Sequence, residues 1–198
     1  MNAEIRKMEA EEEMNGKAYV QMIELKKVEK SSGYKESLEK INIEAIPECE
    51  RNSLGGLMDT GAEVLGIFLD GLPIGYFVLR EFKSIVYLAY FAVSRKYRSK
   101  GIGSRALAKL IAEYQGRGIT VEFEAPPGSK PDGMAARRRD FYLRNGFCET
   151  GWYTFYDETE FEIACTQPSF DIEVFNEFTE HLSTLVSDHI PKPYRKDP

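Results

Sequence analysis

Cysteine and histidine are scarce: the 198 residues hold three cysteines, Cys49, Cys148 and Cys165, and two histidines, His181 and His189. The cysteines are odd in number, far apart and free of any C-x-x-C pair. Neither a zinc cluster nor a thioredoxin-type motif is supported, and they read as buried free thiols. No H-E-x-x-H spacing occurs, and a metal centre or a histidine-based triad would have to draw on His181 and His189, so no metal is expected. Long hydrophobic runs are missing too. The longest stretch without a charge or a Gly/Pro break, Ser84 to Ser94, falls well short of the ~20 apolar residues of a membrane span. The opening segment MNAEIRKMEAEEEM has no apolar core of the kind a signal peptide carries. No membrane association and a cytoplasmic location are the resulting expectations. Basic excess is also absent. Lys plus Arg is 26 against 32 for Asp plus Glu, a net charge of −6. That balance opposes nucleic-acid binding, which needs a basic footprint, and leans toward cationic partners.

What is present is an ordinary globular composition, 42% hydrophobic and 29% charged, in a length suited to one domain. Residues 2–14 are helix-prone and very acidic, with Ile5 and Met8 among their few apolar positions, and residues 1–18 read as an N-terminal helical extension. Tyr19 to Val28 reads as a strand. Tyr34, Leu38, Ile41 and Ala45 follow at helical spacing until Pro47. Residues 51–61, with four Asn/Gly positions, read as a loop. Val64–Leu69 and Ile74–Phe82 flank the hairpin signal Asp70-Gly71, and Lys83-Ser84 leads into a third strand, Ile85–Val93. Leu107, Leu110, Ile111 and Tyr114 mark an amphipathic helix. A strand at Ile119–Glu124, a short helix at Met134–Arg144, a hairpin at about 148–156 and 161–165, and a helix through Val174–Leu185 complete the order. Residues 191–198 read as a loose tail. Helices interrupting a mostly antiparallel sheet define a mixed α/β, or α+β, layer architecture over residues 19–190.

One segment carries chemistry. Arg98-Ser99-Lys100-Gly101-Ile102-Gly103-Ser104 joins a strand to the clearest helix. Glycines let the backbone approach a ligand, and a helix start offers free N–H groups and partial positive charge, which together suit a phosphate or pyrophosphate. Three readings remain open on the segment alone. It can be a structural turn with a solvated charge run. It can be a dinucleotide fingerprint, since Gly101-x-Gly103-x-x-Ala106 fits G-x-G-x-x-A, although it follows an antiparallel meander with too little chain left for a parallel second half. It can also be an acyl-CoA turn.

The third reading gains from its surroundings. Arg98 to Gly103 resembles the R/Q-x-x-G-x-G/A signature of the GNAT acetyltransferases. Leu88-Ala89-Tyr90-Phe91-Ala92-Val93 looks like that family's fourth strand, Thr120-Val121-Glu122-Phe123-Glu124 like its fifth, and Phe141-Tyr142-Leu143-Arg144-Asn145-Gly146-Phe147 like its F/L-Y-x-x-x-G-F segment. The resemblance spans roughly residues 19–165. It implies a sheet whose fourth and fifth strands splay apart around the pantetheine of acetyl-CoA. Phe91, Ala92 and Val93 would then meet pantetheine. Arg98, Ser99, Lys100, Gly101, Ile102, Gly103 and Ser104 would hold the pyrophosphate, and Arg138 would sit near the CoA phosphates or an acidic substrate. Tyr142 matches the tyrosine that protonates the departing sulfur. Glu122, with Glu124 two residues on and on the same face, matches the carboxylate that some relatives use as base. Ala89 stands where other relatives carry a base and cannot serve. The stretch 126–133 lacks the CoA-contacting Asn common at that place. By the same resemblance, the acceptor pocket would draw on Glu44, Glu48, Glu50, Trp152, Tyr153, Tyr156 and Asp157. The implied activity is transfer of acetyl to a primary amine on a small molecule or peptide, with a homodimer left open. The rival is a non-catalytic acyl-CoA-binding module of the same fold.

Overall fold

Strand-forming Val, Ile, Leu, Phe and Tyr fill the middle of the chain, and the sheet they build organises everything else. The structure, a computed structural model, describes residues 22–126, 133–156, 158–186 and 190–196. The acidic segment 1–18, the start of the first expected strand, most of the loop at 126–133, Asp157 and His189 lie outside the described residues. The strands are β1 (Ile23–Lys27), β2 (Glu63–Leu69), β3 (Leu72–Phe82), β4 (Ile85–Val93), β5 (Gly118–Glu124), β6 (Cys148–Tyr156), β7 (Thr159–Cys165) and β8 (Tyr194–Arg195). The helices are α1 (Lys35–Ala45), α2 (Leu54–Asp59), α3 (Ile102–Glu113), α4 (Met134–Arg144) and α5 (Ile172–Val186), with single 3₁₀ turns at Glu48–Glu50 and Arg95–Tyr97.

The sheet runs in the order β1-β2-β3-β4-β5-β7-β6-β8. All neighbours pair antiparallel except β4 and β5, which are parallel. Asp70 and Gly71 both take positive φ, the left-handed geometry that the twist of a tight hairpin requires. One face of the sheet packs on α3 and α4 through Ile102, Leu107, Leu110, Tyr142 and Phe147. The other packs on α1 and α2 through Leu38, Ile41, Leu54 and Leu57, and on α5 through Phe175 and Phe178. Phe77, Leu79, Ile119 and Phe123, all essentially water-free, fill the first of these interfaces. Each such side chain contributes about 1.5–3 kcal/mol by burial.

Three expectations need correction, and one feature of the sheet was not foreseen. Residues 51–61 are not all loop, because α2 forms inside them. Ser53 caps it by accepting from the Gly56 N–H, and buried Leu54 and Leu57 anchor it, which outweighs the low helix propensity of Gly55 and Gly56. Residues 191–198 are not wholly loose, since Tyr194 and Arg195 pair with Tyr153 and Trp152 of β6. Tyr194 donates to Glu160 at 2.6 Å, and Arg195 lies over the Trp152 ring. Of the three thiols only Cys165 is buried; Cys49 and Cys148 are exposed. The pairing of β4 with β3 also slips: Tyr90 opposes Val78 but Leu88 opposes Leu79, leaving Ala89 as a bulge.

Candidate active site

β4 and β5 stay in register for three residue pairs only, ending at Tyr87 with Thr120. Beyond that point they part, and a cleft of about 430 Å³ opens between them. Tyr87, Phe91, Glu122, Arg138, Tyr142 and Tyr156 all line it. Two roomier surface hollows, of about 560 and 490 Å³, contain none of the sequence-predicted site residues.

Backbone alternation sets what the open edge of β4 offers. The Ser94 N–H donates to Ile74 on β3 at 2.8 Å, so the polar groups of Ala92, two residues back, point the same way. Those of Phe91 and Val93 therefore point away from β3, toward the gap left by β5. The Val93 carbonyl on that edge accepts from Arg98 Nε at 2.8 Å, which ties the strand end to the following turn. In that turn Ser99 and Gly101 both have positive φ, and α3 starts at Ile102 with no side-chain cap. Its first N–H groups lack the helical acceptors that later turns enjoy, so the turn is an anion-seeking surface. A methyl built on Gly103 would lie 3.5 Å from the Phe141 ring and 3.6 Å from that of Phe91, so the helix start lies against the cleft aromatics. Lys100 lies over the Tyr97 ring and is exposed.

Glu122 is held from both sides. Tyr87 on β4 donates to Oε2 at 2.8 Å, Thr154 on β6 donates to Oε1, and the Tyr156 hydroxyl is a third partner. Burial pushes the carboxyl above the ordinary carboxylate range, while these hydroxyls pull it back by favouring the ionised form. The same burial, together with the Glu122 charge, pushes the phenols of Tyr87 and Tyr156 up, so both stay donors. Glu124 is exposed at the end of β5 and does not line the cleft among the described residues.

Tyr142 sits on α4 in an aromatic nest. Its ring stacks on Phe123 at 5.4 Å with the planes 7° apart, and Phe141 and Phe147 meet it edge-on. No hydrogen bond of its hydroxyl occurs among the described residues. Burial raises the phenol to about 12, with nearby Arg138 acting in the opposite sense. The hydroxyl is thus protonated at neutral pH and faces a cleft that also holds Glu122.

The three neighbouring arginines part company. Arg138 is exposed at the cleft, whereas Arg139 pairs with Glu149 and with buried Glu162, the latter at 2.8 Å. Arg137 lies on the exposed side of α4. The proposed acceptor wall is also redistributed. Glu50 and Tyr156 line the cleft, but Glu44 accepts from the Arg95 N–H at 2.6 Å and braces the end of β4. Trp152 joins the cluster under α5, and the Tyr153 ring meets that of Tyr194 at a tilt, 6.2 Å between centroids. Sequence reasoning missed Tyr87 and Thr154. Period-two alternation gives the phase within each strand but not the register between strands that brings both to Glu122. Among the described residues, no group of three or more His, Cys, Asp or Glu could hold a metal ion. No helix there is long and apolar enough to cross a membrane.

A strand pair splayed at its C-terminal ends, with a glycine turn at one lip and a tyrosine and a glutamate inside, is an architecture that other proteins share. Residues 20–147 match the Acetyltransferase (GNAT) family, and the chain belongs to that family. A protein from Bacteroides thetaiotaomicron assigned to GNAT acetyltransferases is 26% identical over 82% of this chain and 97% of its own, with a TM-score of 0.67. The ribosomal-protein-S18-alanine N-acetyltransferase of Escherichia coli shares the fold at 16% identity, covering 76% of this chain and 96% of its own, TM-score 0.58. A GNAT acetyltransferase from Elizabethkingia anophelis with acetyl-CoA bound does so at 14%, covering 73% and 97%, TM-score 0.55. No curated protein matches the chain. The expected sheet with splayed fourth and fifth strands is borne out.

Proposed function

We propose that this chain is an N-acetyltransferase that moves the acetyl group of acetyl-CoA directly to a primary amine. The observation that carries the reading is the placement of Glu122 and Tyr142 in one cleft, opened by the parting of β4 and β5. Acetyl-CoA would lie with its pyrophosphate on the N–H groups from Ser99 to Ser104, beside Arg98 and Lys100. Its pantetheine would run along the free backbone edge of Phe91 to Val93, with Arg138 near the phosphates. The amine nitrogen attacks the thioester carbonyl, the C–S bond breaks, and the thiolate takes the Tyr142 hydroxyl proton. Glu122 accepts the proton that the ammonium must lose before its nitrogen can attack, directly or through one water, and the second N–H proton, released as the amide forms, restores the Tyr142 hydroxyl. A carboxyl raised by burial toward the working pH suits that task better than an exposed one. The exposed Glu124 is the weaker candidate for it.

The test is a pair of measurements on the whole chain. Acetyl-CoA at about 100 times its dissociation constant is expected to add ~2.7 kcal/mol of stability, whereas NADPH adds none. Thiol release from acetyl-CoA is expected with at least one of a panel of amines. Stabilisation without release across that panel supports the non-catalytic acyl-CoA-binding alternative, and stabilisation by NADPH alone overturns both.

A further inference from the structure

The sheet divides the cleft into two chemically different halves. On the α3/α4 side lie Phe91, Val121, Tyr142 and Arg138. On the α1/α5 side lie Glu122 and, around it, Tyr87, Tyr90, Tyr156, Phe161, Leu182 and Ile190. Strand alternation produces the division, because the Ala89 bulge brings Tyr87 and Tyr90 to the same face while returning Phe91 to the other. The second half has an unusual charge inventory. Its carboxylates are Glu122, half-buried where the two strands part, and Glu50, exposed next to the backbone carbonyl that Tyr90 caps at 2.9 Å. No lysine, arginine or histidine lines that half among the described residues; Arg138 stands across the sheet with Tyr142. The remaining walls are apolar or aromatic, and Tyr156 and Phe161 meet edge to face at 5.3 Å.

We infer that the acceptor is a cationic amine on an uncharged, apolar body, and that the site rejects acceptors bearing a carboxylate beside the amine. This rests on the acetyl-transfer reading above and names its substrate class. The ammonium is drawn to Glu122, and the oxygens of Tyr87 and Tyr156, whose protons are committed to that carboxylate, remain free to accept from it. The aromatic faces favour a cation and an apolar body together. An acceptor carboxylate would lose water, meet the Glu122 charge and find no cation among the described residues that line that half of the cleft.

The test compares 2-phenylethylamine with phenylalanine, which differ by one carboxylate, using thiol release from acetyl-CoA. The amine is expected to be favoured on the order of 10²-fold in kcat/KM, the scale of one uncompensated like charge in a partly dry site. Leu182→Arg places a cation in the acceptor wall. It is expected to narrow or reverse the preference while leaving acetyl-CoA affinity, read by thermal shift, unchanged. Equal rates for the two compounds, or a preference for phenylalanine, would overturn the inference and leave the acetyltransferase reading intact. Transfer to neither compound by a protein that binds acetyl-CoA and acetylates a peptide N-terminus overturns it in the same way. Failure to bind acetyl-CoA at all removes both.

Discussion

Tyr87, the last residue of β4 to pair with β5, places its hydroxyl 2.8 Å from Oε2 of Glu122, the first β5 carboxylate beyond the parting. The residue that closes the parallel ladder therefore also fixes the group at the mouth of the gap. Tyr87→Phe removes a donor that favours the ionised carboxyl, so the pKa of Glu122 rises further. Activity that requires the carboxylate grows as pH rises through that pKa. The acidic limb of kcat/KM is expected to move to higher pH in the variant, and a limb that stays in place would separate Glu122 from proton removal.

Glu122 also links stability to pH. Its folded-state pKa lies above the ordinary value, with burial as the main cause. A raised carboxyl adds stability that is complete below the unfolded pKa and is lost as pH rises through the folded one. Glu122→Gln avoids this loss. At neutral pH the variant is expected to melt at or above wild type and to lose that advantage in acid, while turnover falls roughly 10²–10⁴-fold. Melting curves at acid and neutral pH, paired with rates, check both halves.

Tyr142→Phe removes one oxygen from a ring that stacks on Phe123. Packing and acetyl-CoA affinity should hold, and turnover should fall by roughly 10²–10⁴-fold if the hydroxyl protonates the thiolate. Wild-type turnover on the true acceptor would make the residue a core aromatic only.

The arginines of α4 give a contrast within three positions. Arg139 neutralises Glu162, whose side chain is 4% exposed. Its other oxygen, Oε1, is buried without a hydrogen-bond partner among the described residues. Arg139→Met strands that carboxylate and should cost about 3 kcal/mol of stability in denaturant unfolding. Arg138→Met should leave stability within ~0.5 kcal/mol and weaken acetyl-CoA binding instead. Arg137→Met should do neither.

Two glycines of the turn separate by the same kind of test. Gly101 has φ of +73°, so Gly101→Ala is expected to cost ~1 kcal/mol and to loosen acetyl-CoA. Gly103 has ordinary van der Waals room for a methyl, so Gly103→Ala should fold as wild type. A bulky side chain there would run into Phe91 and Phe141 and block the cleft.

Local patterns carried most of the fold. Ile85–Val93 and Met134–Arg144 appear where the sequence predicts them, because each is bounded by a turn or cap that needs no distant partner. The candidate residues Glu122 and Tyr142 were legible through the resemblance of their segments to GNAT motifs. The hydroxyls around Glu122 were not, because Tyr87 and Thr154 reach it from different strands and register decides their meeting. α2 was hidden because Gly55 and Gly56 speak against a helix, and burial of Leu54 and Leu57 overrules them. β8 was hidden because two residues pairing through Tyr194 and Arg195 leave no periodic trace. Glu44 read as an acceptor residue because nothing local ties it to the Arg95 N–H, 51 positions away.

The extra residue at Ala89 is slack in the length of β4. Exchanging Ala89 for another small residue leaves the strand's phase untouched. Deleting it restores plain alternation, in which Tyr87 and Tyr90 stand two positions apart and still share a face, with Leu88 and Phe91 on the other. In a library that samples both kinds of change, this position should accept small replacements and also its own loss, which removes only the local kink and twist of the bulge. Variation in what the cleft admits would then arise in the surrounding walls.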